Sequence, residues 1–184
     1  MVCKASIPYS NWKKGKVLPV VALVCDYYNG NVKGELYFSK LAKRMREDAQ
    51  FVIIGKGWKD VPGENVLHWC VSSYADVKRV FAYVDVVFIG SRYEAGPASF
   101  PDAVNGGKYV VSTKVGMVMD NFIEGCSGNY LSLNEKEDVV SIRMILEKVN
   151  NNISPLYRCS YLSWQEQIDC LLEFLSESCE QENT

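Results

Sequence analysis

The sequence predicts an α/β domain organised on one doubly wound parallel sheet, and three observations predict it. Short, dense apolar runs at Leu18–Cys25, Phe51–Ile54 and Val84–Ile89 have the length and Val/Ile content of strands buried on both faces. Segments of helical periodicity fall between such runs. Strand and helix then alternate through most of the chain, the pattern of a Rossmann-like sheet with helices on both sides.

Taken in order, residues 1–16 hold four lysines and little apolar periodicity, and are expected to form an arm. Leu18–Cys25 is the first strand, and the turn-rich Asp26–Asn31 follows it. A helix is expected from about Lys33 to Glu47, with Leu36, Leu41, Ala42 and Met45 inward. Phe51–Ile54 and Val66–Trp69 are the next strands, the first stopped by Gly55-Lys56-Gly57. Ser72 or Ser73 caps a helix reaching about Tyr83, with Val77, Val80 and Phe81 inward.

The centre of the chain is Val84–Ser112. Here the strand Val84–Ile89 runs into Gly90-Ser91 and a loop carrying Glu94, Gly96 and Pro97. Ser99 opens a helix closed by Gly106-Gly107, and Tyr109–Val111 starts another strand. Beyond it, Gly116–Ile123 predicts a short helix and Tyr130-Leu131 a last strand. Asn134 caps a helix to about Asn150, with Val139, Ile142, Leu146 and Val149 inward. A closing helix is expected over about Leu162–Ser178, before a frayed tail at 180–184. The domain proper is thus 17–179.

Length and composition bound the function. The 184 residues suit one domain, and 48% hydrophobic with 23% charged residues is a globular composition. A net charge of −2 gives no footprint for nucleic acid. No apolar run reaches the ~18 residues of a membrane span, and no signal peptide opens the chain. The seven cysteines include no C-x-x-C pair and are expected to be reduced thiols in a cytoplasmic protein, with a disulfide among them left open. His68 is the sole histidine, which argues against a histidine-based metal site and fits a structural role. The first strand is followed by neither G-x-G-x-x-G nor a Walker P-loop, against dehydrogenase and P-loop kinase functions.

Open α/β sheets bind ligands at the carboxyl ends of their strands. Glu94 falls there, and Asp102 falls in the first turn of the next helix, so both are expected to face one crevice. Such a place suits a sugar nucleotide, whose diphosphate seeks N–H groups and cations and whose hydroxyls seek carboxylates. Each residue also has a plainer explanation. Ser99-Phe-Pro-Asp102 fits a capping box, so Asp102 is either a cap or a ligand. Lys33 either opens its helix, where an arriving anion would offset the opposed dipole, or is loop before a helix starting at Glu35. Arg92 is either a phosphate contact or plain surface.

With these residues in place, Ser91–Gly116, S-R-Y-E-A-G-P-x4-D-A-V-x-G-G-K-Y-V-V-S-T-x-V-G, resembles the donor-binding half of retaining GT-B glycosyltransferases of the family-four type. That pattern has two acidic residues with seven between them; here they are Glu94 and Asp102, followed by Ala103, Gly107, Val110, Val111, Thr113 and Gly116. Lys33-Gly34, Ile53–Gly57 and Ser163-Trp164 match in order on either side, so the resemblance spans roughly 20–178.

The resemblance implies roles and a fold, the C-terminal domain of a GT-B enzyme. Glu94 would contact the donor sugar near the reacting carbon, and Lys33 would neutralise the leaving diphosphate. Asp102 would hold the ribose hydroxyls, and Gly96, Pro97 and Ala98 would touch phosphate or sugar. The donor would be a UDP- or GDP-sugar, transferred as a hexose with retention and without a bound metal. Four departures stand out. No arginine lies in Asp26–Val32, where the family carries one. Asp102 stands for a glutamate, and Gly116-Met117 for a glycine pair. Residues 1–16 do not supply an acceptor-binding half. The expectation is therefore a stand-alone donor-binding domain, its acceptor groups coming from a second copy or another chain. The alternative is a subunit that binds a nucleotide or nucleotide sugar without turnover.

Overall fold

The computed structural model describes residues 18–59, 63, 65–158, 168, 169 and 172. The expected arm at 1–16, most of the closing helix with Ser163-Trp164, and the tail lie outside them.

The elements follow the alternation expected. They are β1 (Val20–Val24), α1 (Glu35–Arg44), β2 (Gln50–Ile54), β3 (Val66–Trp69), α2 (Tyr74–Phe81) and β4 (Val86–Ile89), then α3 (Ser99–Asn105), β5 (Tyr109–Ser112), α4 (Val118–Asn121), β6 (Gly128–Tyr130) and α5 (Glu135–Asn150). The six strands form one sheet, ordered β3-β2-β1-β4-β5-β6, and every neighbouring pair is parallel.

Alternate side chains of each strand enter opposite cores. Val20 and Ala22 of β1, Val87 and Ile89 of β4 and Val110 of β5 pack with Val80 and Phe81 of α2 and Phe100, Ala103 and Val104 of α3. Val21, Leu23, Val86, Phe88 and Val111 pack instead with Phe38, Leu41 and Ala42 of α1, with Met45 just past its end, and with Ile142, Ile145 and Leu146 of α5. A sheet covered on both faces has no water-facing side, which is why its strands carry unbroken apolar runs.

Local signals act where the sequence places them. Ser73 accepts from the Asp76 N–H while Asp76 accepts from the Ser73 N–H, a complete capping box at α2. Asn134 accepts from the Lys136 N–H at the head of α5. His68 Nε2 meets the Gly55 carbonyl at 2.8 Å, in keeping with a structural role.

α1 begins at Glu35 after Gly34, so of the two readings of Lys33 the loop holds. Two expectations need correction. Leu36 is exposed, and the inward face of α1 is Phe38, Leu41, Ala42 and Met45 together with a buried Glu35. Cys25 and Cys126 are free, but Cys70 is disulfide-bonded, so the cysteines are not uniformly reduced. No helix among the described residues is long and apolar enough to cross a membrane.

Candidate active site

The strand order places the site. β1 leads to β2 and β3 on one side, and the chain then returns through α2 to β4 on the other. The connections leaving β1 and β4 therefore diverge, and their carboxyl ends leave a crevice at the point where the order reverses. A cavity of about 270 Å³ occupies that point. Cys25 and Asp26 at the end of β1, Ile89 and Ser91 at the end of β4, and then Lys33 and Glu94 line it. A wider depression of about 570 Å³ lies between α5 and β6, lined by Asn129, Val140 and Met144.

Two glycines close the crevice from the sides. Gly34 has φ +79°, and a Cβ there would lie 2.5 Å from the Gly90 carbonyl oxygen. Only a glycine lets the loop after β1 approach β4 this closely, and the approach sets Lys33 beside Glu94. Gly116 has φ +38°, and a Cβ there would fall 1.8 Å from the Ala95 carbonyl oxygen. The Met117 N–H donates to that same carbonyl at 2.9 Å. The Glu94–Gly96 loop is thereby tied to the segment following β5.

Lys33 Nζ donates to Glu94 Oε1 at 2.6 Å, with side chains 23% and 17% exposed. This pair is desolvated enough to exceed an ordinary surface ion pair. Ser91 Oγ donates to the other oxygen, Glu94 Oε2, at 2.5 Å. Ser91 is itself held, its carbonyl accepting from Thr113 Oγ1 at 2.6 Å. Tyr28 forms part of the rim, half exposed, and the Lys33 ammonium lies 5.9 Å from its ring centre. The Cys25 thiol is pushed up to about 12, first by burial and next by the negative charge of Glu35. It is no nucleophile at neutral pH.

The residues expected from the sequence separate here. Lys33, Glu94, Gly96, Pro97 and Ala98 all line the cavity. Asp102 does not, contrary to the expectation that it shares the crevice with Glu94. It is not a cap either, because the N-cap of α3 is Ala98 and no side chain caps that helix. Its Oδ1 accepts from the Tyr74 hydroxyl of α2 at 2.8 Å, which raises the Tyr74 pKa, chiefly through that bond. Arg92 is exposed. Sequence reasoning missed Ser91, Asp26 and Tyr28 as site residues. For Ser91 a signal existed: a hydroxyl three residues before an acid, in the loop leaving a buried strand.

No protein-family model and no curated protein matches the chain. Solved structures do. WaaB, a lipopolysaccharide outer core galactosyltransferase, superposes at TM-score 0.58 and 17% identity, over 74% of this chain and 42% of its own. HepE of Anabaena, solved in complex with UDP-glucose, gives TM-score 0.57 and 19% identity, over 73% of this chain and 40% of its own. WaaG, a glycosyltransferase involved in lipopolysaccharide biosynthesis, gives TM-score 0.58 and 15% identity, over 78% and 41%. The fold is that of a GT-B C-terminal domain. The chain spans about 40% of the length of these GT-B structures. At such identities the likeness establishes the fold, and function has to be argued from the site.

Proposed function

We propose that this domain binds a nucleotide sugar and serves as the donor half of a retaining glycosyltransferase, transferring a hexose from a UDP- or GDP-sugar. The observation carrying the reading is the meeting of Lys33 and Glu94 in the crevice where the strand order reverses. A cation at that point suits a diphosphate, and a carboxylate beside it suits sugar hydroxyls. In the reaction, the bond from the anomeric carbon to the diphosphate oxygen breaks and its electron pair leaves with the nucleoside diphosphate, while an acceptor hydroxyl oxygen bonds the same face of that carbon and gives its proton to the departing phosphate oxygen. Lys33 stabilises that charge, which grows in the transition state and so lowers the barrier. Glu94 holds the sugar near the reacting carbon, and backbone at Gly96–Ala98 approaches the phosphates. Asp102 lies outside the cavity lining and holds Tyr74 with Oδ1; its ribose role in this reading falls to its other carboxylate oxygen.

The cavity is smaller than the roughly 300–1,000 Å³ of typical small-molecule pockets, as expected of a cleft with one wall. An opposing surface, from another domain, chain or copy, completes it in this reading and brings the acceptor. The binding-subunit alternative draws on one fact. Lys33 is the single cation in the crevice lining, beside Asp26 and Glu94, so stabilisation of a leaving diphosphate rests on one ammonium.

Calorimetry against a panel of UDP- and GDP-sugars tests binding, with micromolar to millimolar affinity expected for at least one. No binding to any member overturns both readings. Release of free sugar from the bound donor, with and without candidate acceptors, separates enzyme from binder.

A further inference from the structure

We infer that Ser91 is the positioning residue for Glu94, holding the carboxylate in place at the moment Lys33 leaves it for the diphosphate. The inference rests on the donor-binding reading above. In the crevice the two oxygens of Glu94 have different partners, Lys33 on Oε1 at 2.6 Å and Ser91 on Oε2 at 2.5 Å. A donor diphosphate competes for Lys33, because one ammonium cannot keep a short bond to the carboxylate and also meet a phosphate at full strength. Once Oε1 is freed it can accept from a sugar hydroxyl. A carboxylate that lost both partners would swing on its flexible side chain and forfeit its aim.

Ser91 is built to stay. It is 2% exposed and sits one turn of loop from Glu94 on the same segment. Thr113 Oγ1 clamps its carbonyl at 2.6 Å, and the Thr113 N–H donates to the Ile89 carbonyl at 2.9 Å. The clamp thus joins the last residue of β4 to the residue following β5, beside the paired strand ends Ile89 and Ser112. Lys33, by contrast, lies on a loop and ends in a flexible ammonium. The mobile partner is the one the donor takes, and the fixed partner is the one that remains.

The first test needs no turnover. Crystal structures of Lys33→Ala and of Lys33→Ala/Ser91→Ala locate the Glu94 carboxylate directly. In the single variant it stays within hydrogen-bond distance of the Ser91 hydroxyl; in the double variant it adopts another rotamer. A Glu94 already displaced in Lys33→Ala, or unmoved in the double variant, overturns the inference. The second test is kinetic, on the full chain with the donor that the panel identifies. Ser91→Ala lowers kcat about 10- to 100-fold, the loss of one hydrogen bond to a charged group, with KM changed less than about threefold. An unchanged kcat overturns the inference, as does a loss shared equally by KM and by affinity for the bare nucleotide. Wild-type protein that turns over no donor overturns the transfer reading instead, and the crystallographic comparison then decides for Ser91 alone.

Discussion

At the scale of single residues, the crevice rests on one ion pair whose members have opposite tasks. Lys33→Ala removes the cation offered to the diphosphate and should weaken UDP or GDP binding about tenfold or more, read by calorimetry. Equal affinity in the wild type and the variant would remove Lys33 from the site. Glu94→Gln should lower transfer by about 10²-fold or more, the scale of a lost orienting contact at the reacting centre, while leaving bare-nucleotide affinity equal or tighter. The sign of the second effect follows from geometry, since Glu94 occupies the ammonium that the phosphate needs. The places of Lys33 and Glu94 were legible from their context: one precedes a glycine in the loop leaving a strand, the other lies in the loop leaving another strand. Asp102 was misplaced because S-x-x-D spacing specifies a helix turn but not its azimuth. The rotation of α3 that sends Asp102 to Tyr74 is set by Phe100, Ala103 and Val104 entering the core.

At the scale of elements, what decides is where a helix starts. α1 needs Gly34 both for its left-handed φ and for the contact with Gly90. Gly34→Ala would place a methyl against backbone at a strained φ, costing more than about 2 kcal/mol and lowering the melting temperature by about 4–8 °C. The same change should weaken nucleotide binding, because Lys33 is carried by the displaced loop. A variant with wild-type melting and binding would show that the two loops tolerate separation. α2 offers a cleaner electrostatic test. Asp76 sits below the ordinary carboxylate range, chiefly through its bonds from Ser73 and then Ser72. Its folded-state value is depressed, so its contribution is present above the unfolded value and disappears as pH falls through the folded one. Ser73→Ala should cost about 1 kcal/mol at neutral pH, and the cost should shrink once acid has protonated Asp76. The start of α1 was less legible. Leu36 matches an apolar stripe yet is exposed, while Glu35 is 4% exposed and neither of its carboxylate oxygens has a hydrogen-bond partner among the described residues. Periodicity gives the spacing of a face, while the αL turn at Gly34 sets which residues occupy it.

At the scale of the whole molecule, the sheet order turns local features into a site. Apolar runs and alternation made a parallel α/β sheet legible, because strands buried on both faces leave that mark in composition. The order β3-β2-β1-β4-β5-β6 is not written in any one segment; it follows from which face each connection crosses. That order alone brings the end of β1 and the end of β4 together, and with them Lys33 and Glu94, 61 residues apart in sequence. A ligand bound at this junction touches both halves of the sheet, so it should stabilise the domain as a unit rather than one loop. Binding to the folded state adds RT ln(1 + [L]/Kd), about 2.7 kcal/mol at a hundredfold excess over Kd. Thermal unfolding with matched nucleoside diphosphate, monophosphate and nucleoside should therefore rank the diphosphate first, by the contribution of Lys33 to its second phosphate. In Lys33→Ala the diphosphate and monophosphate should give nearly the same shift. If diphosphate and monophosphate stabilise the wild-type protein equally, the junction recognises the nucleoside alone, and the cation at the end of the first loop has another purpose.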